Sequence, residues 1–540
     1  MSDSAIIPGS GLFINRMRLG PVDIGNGRLQ TGRIMRYSSA PSAICADIRP
    51  FPVSIPCVRI WPELADNPTM TQNTRLEHDL LGERAVPSDA YYGIHTLRAL
   101  ENFAITGHTI SSFSELIVAL ACVKQAAAVT NRELGLLDAE RAEAIVAACS
   151  EIRGGALHEH FVVDVIQGGA GTSSNMNANE VIANRGLELL GHPRGTYRHL
   201  HPLEHVNMSQ STNDVYPTAL RIALRLEIDR LRAAMAYLRT AFEAKASEFA
   251  DVLKMGRTQL QDAVPMTLGQ EFSTYAVMLA EDEERLREAG LLVQEVNLGA
   301  TAIGTGLNAP PDYAALVCKH LSAITGVPLV TAGNLVEATQ DAGAFVQLSG
   351  VLKRVAVKLS KTCNDLRLLS SGPRAGLGEI NLPPVQAGSS IMPGKVNPVI
   401  PEVVNQIAFE VIGNDVTVTF AAEAGQLQLN AFEPVIAHNL FNSLIYLRNG
   451  CITLADRCVV GITANREQLR RSVENSIGIV TALNPYIGYE NATAIAKEAH
   501  ETGASVYDLV LTKGLMDRAE LDRVLRPEVL TRPQPLPKRE

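Results

Sequence analysis

The sequence predicts an all-α fold with a central bundle of long helices. From Pro217 to about Ala250, apolar residues recur at three- and four-residue steps, as they do on one face of a helix. Aromatic residues make up only 5% of the chain, and alanine and leucine dominate the apolar positions, which suits close helix packing. The alternation of apolar and polar residues that is typical of strands is nearly absent.

Residues 1–70 differ from the rest of the chain. They contain eight of the 28 prolines and the single tryptophan, and they have no amphipathic period. A targeting segment is one interpretation, but acidic residues interrupt it and no apolar stretch precedes a cleavage site. We therefore expect an extension that is either disordered or not part of the native protein, with the orderly chain starting after Met70.

Further long helical patterns predict the bundle. Apolar periods cover residues 266–297, 335–370, 397–425 and 433–462. Helices of this length are typical of bundles in which the helices bury one another. We expect Pro217 in the first turn of the first long helix, because proline suits that position.

Composition excludes several classes of protein. The net charge is −9 and no long basic run occurs, which argues against nucleic acid as a partner. No eighteen apolar residues run together, so we expect no membrane-spanning helix. The eight cysteines are scattered without a C-x-x-C pair, which favours buried thiols over a disulfide framework or a zinc ribbon. The expected location is a reducing cytoplasm.

Three segments rich in glycine, hydroxyl and amide side chains stand out from this helical background. Each ends where a helical pattern begins, so each can present free N–H groups to an anion at the positive end of a helix. Simple helix capping is the alternative for any one of them. We name them the first, second and third polar segments, which cover residues 168–177, 209–214 and 388–398.

The third polar segment carries the most chemistry. Its glycines and prolines allow it to move and still close into a defined shape, as active-site lids do. It contains a potential base or nucleophile in Ser389, a second hydroxyl in Ser390 and an amide in Asn397. Lys395 has no charged neighbour in the segment, which favours contact with a ligand over a merely solvated side chain.

This segment resembles the signature loop of the aspartase/fumarase superfamily. The resemblance extends from about Arg75 to Leu515. The residues at 79–103, which begin with Asp-Leu-Leu-Gly, and those at 399–406 resemble aspartate ammonia-lyases in particular. The run at 483–489 is similar across the superfamily.

The resemblance implies a three-domain lyase fold and a homotetramer. The expected divisions are an N-terminal helical domain at 71–213, a central long-helix domain at 214–468 and a small C-terminal helical domain at 469–540. In the implied tetramer the central helices form a core of twenty helices, and each active site draws on three subunits. No organic cofactor is implied, although a divalent cation such as Mg²⁺ activates some relatives.

The resemblance also implies a reaction, the reversible anti elimination of ammonia from L-aspartate to give fumarate. Removal of the proton beside the β-carboxylate creates an enediolate, whose charge needs preorganised donors. A neutral serine is too weak a base, so the closed loop must stabilise its anion. By resemblance, the base is Ser389, the β-carboxylate cradle is Thr172, Ser211, Thr212 and Ser390, the α-carboxylate clamp is Thr258, Lys395 and Asn397, and the amino-group site is Thr172 with Asn213.

Gln259 favours an aspartate ammonia-lyase over a fumarase. By resemblance, fumarases and several aspartases carry histidine at this position. An imidazole there can accept or donate the proton of a water molecule. The amino group of aspartate already carries its proton when it leaves, so a neutral amide that orients it suffices. Thr212 is aspartase-like as well. The alternatives are a fumarase or other superfamily lyase, and a structural relative without activity; the latter predicts damage at Ser389, Lys395 or Asn397, and none is seen.

Two features bear on other ligands. Leu203 stands where the family usually has asparagine, in a segment that lines an accessory anion site in fumarases, which argues against such a site here. Several histidines invite a metal site, but no carboxylate or cysteine falls at ligand spacing on a helix face, so we predict no metal ligand. These histidines are at 158, 160, 199, 201 and 205.

Overall fold

A computed structural model describes residues 73–535, so the extension expected at residues 1–70 lies outside the described residues. The described chain is mostly helical, which confirms the predicted fold class. The helices are α1 (Ile94–Asn102), α2 (Ser114–Glu133), α3 (Ala139–Arg153), α4 (Thr172–Leu189), α5 (Thr212–Glu248), α6 (Leu268–Leu292), α7 (Tyr313–Thr325), α8 (Leu335–Gln340), α9 (Gly343–Leu369), α10 (Val399–Glu423), α11 (Glu433–Arg457), α12 (Arg466–Asn475), α13 (Asn484–Ile487), α14 (Tyr489–Thr502), α15 (Val506–Thr512), α16 (Arg518–Val524) and α17 (Pro527–Leu530).

Short strands accompany the helices as pairs, each pair forming a sheet of its own. Sequence analysis missed them, because two- to seven-residue strands are too short to show a clear alternation. All pairs are antiparallel except β5 with β6. The strands are β1 (Thr74–Asp79), β2 (Gly82–Pro87), β3 (Leu253–Thr258), β4 (Gln261–Thr267), β5 (Glu295–Val296), β6 (Val330–Thr331), β7 (Ile380–Asn381) and β8 (Thr463–Ala464).

Five long helices form the central bundle, as the apolar periods predicted. Helix α5 packs against α6, α11 and α2, while α9 packs against α10 and α6. The period at 335–370 is divided between α8 and α9, which the sequence did not predict. The division follows from Asp341, whose side chain accepts a hydrogen bond from the Gly343 N–H at the start of α9.

Pro217 does not lie in the first helical turn, and this prediction was wrong. Helix α5 begins at Thr212, because the Ser211 side chain caps it six residues before the proline. Pro217 has no N–H, so it cannot donate to the carbonyl oxygen of Asn213 four residues earlier. Asn297 Nδ2 donates to that oxygen instead, at 3.0 Å.

Three apolar cores lie in the described chain. The largest fills the bundle and extends through α2, α3 and α4. The second is formed by residues of α12 to α16 together with Met255 from strand β3. The smallest consists of Val86, Ala90 and Ile94. Within residues 73–535, no helix is both long and apolar enough to cross a membrane.

Candidate active site

The first and second polar segments meet at the starts of two neighbouring helices. The first leads into α4 at Thr172, and the second leads into α5 at Thr212. Asn175 Nδ2, in the first turn of α4, lies 3.0 Å from Thr212 Oγ1 and joins the two helix ends. Both ends present the positive end of a helix dipole, which suits a carboxylate.

The first polar segment is held tightly against the bundle. Gly171 has a positive φ of 87° and lies against the ring of Tyr216, where any Cβ would collide with the ring. Only glycine fits both conditions. Thr172 follows it with an exposed side chain whose hydroxyl donates to Gly169 O at 2.7 Å.

The second polar segment begins α5 with a reciprocal cap. The Ser211 hydroxyl accepts from the Asn213 N–H, and Asp214 Oδ1 accepts from the Ser211 N–H at 2.9 Å. Asn213 Nδ2 donates to Ala302 O at 2.8 Å. These contacts fix the backbone of the segment and leave the Thr212 side chain half-buried beside α4.

Two buried charges support this segment, Asp214 at its end and Lys124 behind it, and sequence analysis gave neither of them a role. Asp214 accepts from the Gly299 and Thr301 N–H groups at 3.0 and 2.8 Å. Burial raises the pKa of the Asp214 carboxyl to about 6, although these N–H groups and Lys124 oppose the shift. Burial likewise lowers the pKa of Lys124 to about 7, and Asp214 opposes that shift. Each charge thus partly compensates the other.

The segment that contains Gly299 and Thr301 was also missed. It runs from 297 to 308, carries several positive φ angles and supports the start of α5. Its sequence signal was present, because Gly299, Gly304 and Gly306 lie close together outside any helical period. A Cβ at Gly299 would come within 2.8 Å of the Ala314 backbone, which explains the first glycine.

Thr258 and Gln259 lie at the exposed tip of the hairpin formed by β3 and β4. Thr258 pairs with Gln261, and the two turn residues Gln259 and Leu260 have positive φ angles of 53° and 64°. Non-glycine residues adopt this conformation rarely and at a cost, and such strain tends to occur at functional sites. The Gln259 side chain at this turn is exposed.

Buried ion pairs anchor this hairpin. Lys254 Nζ lies 2.5 Å from Glu271 Oε2 on α6 and 2.9 Å from Glu379 Oε2. Arg257 Nη1 contacts Glu379 Oε1 at 2.5 Å. Glu379 directly precedes β7, and the stretch of chain after β7 leads to the third polar segment.

The third polar segment is an exposed loop whose two ends are joined by hydrogen bonds. The Gly388 N–H donates to Lys395 O at 2.8 Å, and Asn397 Nδ2 donates to Gly388 O at 2.7 Å. A Cβ at Gly388 would lie 2.7 Å from the Asn397 nitrogen, so glycine is required there. The side chains of Ser390 and Lys395 are exposed.

Ser389 occupies a distinctive place in this loop. Its Oγ accepts hydrogen bonds from the backbone N–H groups of Ile391 at 3.1 Å and Met392 at 2.9 Å. Two donors directed at one hydroxyl oxygen favour its anion over its neutral form.

The predicted site residues therefore form separate groups within one chain. Thr172, Ser211, Thr212 and Asn213 come together at the starts of α4 and α5. Among the described residues, no hydrogen bond or ion pair joins this group to the hairpin tip or to the third polar segment.

The six cysteines in the described range are free and buried, as predicted. Leu203 is 42% exposed in a single π-helical turn, Pro202–Val206, whose start is capped by His201 Nδ1. No group of three or more His, Cys, Asp or Glu side chains within residues 73–535 could hold a metal ion.

Comparison with known proteins places this chain among lyases. The family model described as "Lyase" matches residues 82–413, and the one described as "Fumarase C C-terminus" matches residues 479–532. Aspartate ammonia-lyase of Pseudomonas aeruginosa is 60% identical over 468 residues, which are 86% of this chain and 99% of that protein. The Escherichia coli K12 protein of the same name is 57% identical over 465 residues, which are 86% of this chain and 97% of that protein.

Solved structures share the fold. A fumarate lyase:delta crystallin from Brucella melitensis, crystallised with bound cobalt, is 58% identical with a TM-score of 0.84; the match covers 85% of this chain and all of that one. A class II fumarase from Schistosoma mansoni is 34% identical with a TM-score of 0.81, over 84% of this chain and 98% of that one. The chain therefore belongs to the aspartase/fumarase lyase family, of which aspartate ammonia-lyases are members.

Proposed function

We propose that the protein is an aspartate ammonia-lyase, a carbon–nitrogen lyase that converts L-aspartate reversibly into fumarate and ammonia. Relatives with this name are 57–61% identical over nearly their whole length. Gln259 at the strained hairpin tip supports ammonia as the leaving group, because an amide can orient an amino group that already carries its proton.

The geometry around Ser389 is the observation that carries the mechanism. The two N–H groups that point at its Oγ stabilise a serine anion, which supports Ser389 as the base. The anion removes a proton from Cβ of aspartate, and the electron pair of that C–H bond enters the β-carboxylate to form an enediolate. Collapse of the enediolate forms the double bond and expels ammonia from Cα.

The other site residues bind the two carboxylates and the amino group. In this proposal the β-carboxylate, where negative charge develops, is held by Thr172, Ser211, Thr212 and Ser390. The Thr172 hydroxyl exchanges its contact with Gly169 O for one with the carboxylate. The starts of α4 and α5 add the positive ends of their dipoles. The remaining assignments follow the charges of the substrate, with the α-carboxylate held by Thr258, Lys395 and Asn397 and the amino group by Thr172, Asn213 and Gln259.

We infer that the site is completed in a homotetramer. One chain keeps the hairpin tip and the third polar segment apart from the starts of α4 and α5, so complete sites need other subunits. Helix α10 supports this with a stripe of exposed apolar side chains, an arrangement typical of interfaces. The stripe comprises Phe409, Val416 and Phe420, which are 62%, 52% and 69% exposed.

We further propose how the chain is divided into domains and where the protein works. The domains are residues 71–213, 214–468 and 469–540, and the second of them forms the twenty-helix core of the tetramer. The reaction as written needs no organic cofactor, since proton removal and ammonia loss involve only the substrate and side chains. A divalent cation such as Mg²⁺ would act as an activator, and the protein would work in the cytoplasm.

A paired substrate assay tests this function. Purified protein is incubated with L-aspartate and, separately, with L-malate, while the absorbance of fumarate is followed. Fumarate from L-aspartate alone is expected. Fumarate from L-malate alone would make the protein a fumarase, and no fumarate from either substrate would make it another lyase of the family or a structural relative without activity.

A further inference from the structure

A chain of buried side chains lies behind the second polar segment and ends at the hydroxyl of Thr212. Lys124 Nζ lies 2.8 Å from Asn207 Oδ1 and 2.9 Å from Gln210 Oε1. Asn207 Oδ1 lies 3.2 Å from Asn175 Nδ2, which in turn lies 3.0 Å from Thr212 Oγ1. Lys124 and Asn175 are 0% and 1% exposed, so water does not compete for these contacts.

Lys124 fixes the orientation of the Asn207 amide. In either protonation state its nitrogen carries a hydrogen for each of the two oxygens that it contacts. Asn207 must therefore turn its oxygen toward Lys124, and its Nδ2 donates to Gln210 O at 3.2 Å. Asn179 Nδ2 also lies 3.2 Å from Asn207 Oδ1, which agrees with this orientation.

The orientation of Asn207 then fixes that of Asn175. If the Asn175 amide were turned over, its oxygen would face Asn207 Oδ1 with no hydrogen between the two acceptors. The observed orientation directs Nδ2 at both Asn207 and Thr212, and it leaves Asn175 Oδ1 buried without a donor in the described chain. A buried carbonyl without a donor is uncommon and destabilising, so its presence here points to a role for the direction of the amide.

The orientation of Asn175 determines what the Thr212 hydroxyl can donate to. Because its Oγ accepts from Asn175, its hydroxyl hydrogen is free, and nothing in residues 73–535 accepts it. A carboxylate can only accept hydrogen bonds. A hydroxyl already held as a donor needs no reorganisation when charge develops on the β-carboxylate, and such preorganised donors accelerate reactions.

We propose that Asn175 is a positioning residue of the elimination, which holds Thr212 as a hydrogen-bond donor toward the β-carboxylate, with the direction set by Lys124 through Asn207. The inference rests on the proposed function and on the place of Thr212 in the carboxylate cradle. It makes Asn175 act through Thr212, without contact to the substrate.

A double-mutant cycle tests this coupling. Turnover of L-aspartate is measured for Thr212→Val, Asn175→Ala and the double variant. Thr212→Val should lower kcat by the ~10²–10³-fold typical of one lost donor to a developing oxyanion. Asn175→Ala should lower it less, and the double variant should be no worse than Thr212→Val alone. If the two losses multiply, Asn175 acts independently of Thr212 and the proposal is wrong.

Asn175→Asp tests the direction of the hydrogen bond. Its carboxylate would accept the Thr212 hydrogen and so withdraw it from the substrate. We expect a loss at least as large as that of Thr212→Val, and weaker binding of succinate, a dicarboxylate without an amino group. Unchanged kcat and succinate binding would contradict the proposal. If Asn175→Asp does not fold, the cycle with Asn175→Ala decides the question.

Asn184 provides the matched control. It lies in the same helix, is 0% exposed, and donates to Tyr91 O at 2.8 Å and to the Tyr197 hydroxyl at 3.1 Å. Asn184→Ala should lower thermal stability as Asn175→Ala does, with kcat and KM kept. Equal losses of kcat in both variants would show a merely structural role for Asn175. Should the wild type fail to convert L-aspartate, the proposed function fails, and succinate binding by wild type and Asn175→Asp still reports the donor direction.

Discussion

Asn297 supplies the hydrogen bond that Pro217 removes from the longest helix. Its Nδ2 donates to the carbonyl oxygen of Asn213 at 3.0 Å, and the same amide group contacts the hydroxyls of Thr218 and Thr339 at 3.3 and 3.1 Å. The Asn297 side chain is only 1% exposed. A proline that would otherwise leave a carbonyl unpaired is thus accommodated beside a predicted substrate-binding residue.

This relationship predicts a rescue. Asn297→Ala should lower the free energy of unfolding by at least the ~1–3 kcal/mol of one unsatisfied buried group, because Asn213 O and two hydroxyls lose their partner. Pro217→Ala restores an N–H within the helix, so it should recover part of this loss in the Asn297→Ala background. Thermal unfolding of the four proteins measures both effects. An equal effect of Pro217→Ala with and without Asn297 would contradict the explanation.

Features set by neighbouring residues in the sequence were predictable, whereas contacts between residues far apart in the sequence were not. The three polar segments interrupt regular helical periods, so their glycines and hydroxyls were visible at once. Lys124 was not, because a lysine in a helical stretch looks solvated until the fold buries it against Asn207, 83 positions away. The hairpin tip was also invisible as a turn, since Gln259 and Leu260 replace the usual glycine or asparagine.

Glu433 predicts a pH-dependent stability. Burial raises the pKa of this carboxyl from 4.5 to about 8, although Arg221 opposes the shift. The folded protein therefore holds the proton more tightly than the unfolded chain does. The protonated form of Glu433 makes its full contribution to the free energy of unfolding below pH 4.5. This contribution is lost as the pH rises toward 8, by at most ~1.4 kcal/mol per pH unit for one group.

Glu433→Gln provides the test, because glutamine stays neutral throughout this range. The variant and the wild type should unfold at similar temperatures near pH 4.5. The variant should become progressively the more stable of the two between pH 5 and pH 8. A difference in Tm that stays constant across this range would show that Glu433 is ionised in the folded protein.

Shared active sites predict complementation between inactive chains. Thr172→Ala and Lys395→Ala should each abolish most activity, because they remove contacts from opposite ends of the substrate. If these residues meet only across subunits, mixing the two variants by reversible unfolding should restore part of the activity. Each variant refolded alone is the control. Light scattering should give about four times 58.1 kDa, and an active monomer would contradict the shared site.

Lys395→Met should affect binding as well as turnover. The exposed ammonium is assigned to the α-carboxylate, which is charged in both the substrate and the transition state. We expect KM to rise. We also expect the free energy of transition-state stabilisation, calculated from kcat/KM, to fall by about 2–3 kcal/mol, which is typical of a lost charge-assisted contact. Steady-state kinetics with L-aspartate measure both parameters. A fall in kcat at unchanged KM would assign the lysine to the transition state alone.

Ser389→Ala should have the opposite signature. The serine is assigned to proton removal from Cβ, so kcat should fall by at least the ~10²–10⁴-fold typical of a lost general base, while KM for L-aspartate and the inhibition constant of succinate stay largely unchanged. The Ile391 and Met392 N–H groups lose their acceptor in this variant, which could loosen the loop. Met392→Ala is the matched control, because it alters an exposed side chain of the same loop that has no assigned contact with the substrate, and it leaves those two N–H groups paired. If loosening caused the loss, succinate would bind more weakly to Ser389→Ala than to the control. Near-normal turnover of L-aspartate by Ser389→Ala would place the base elsewhere.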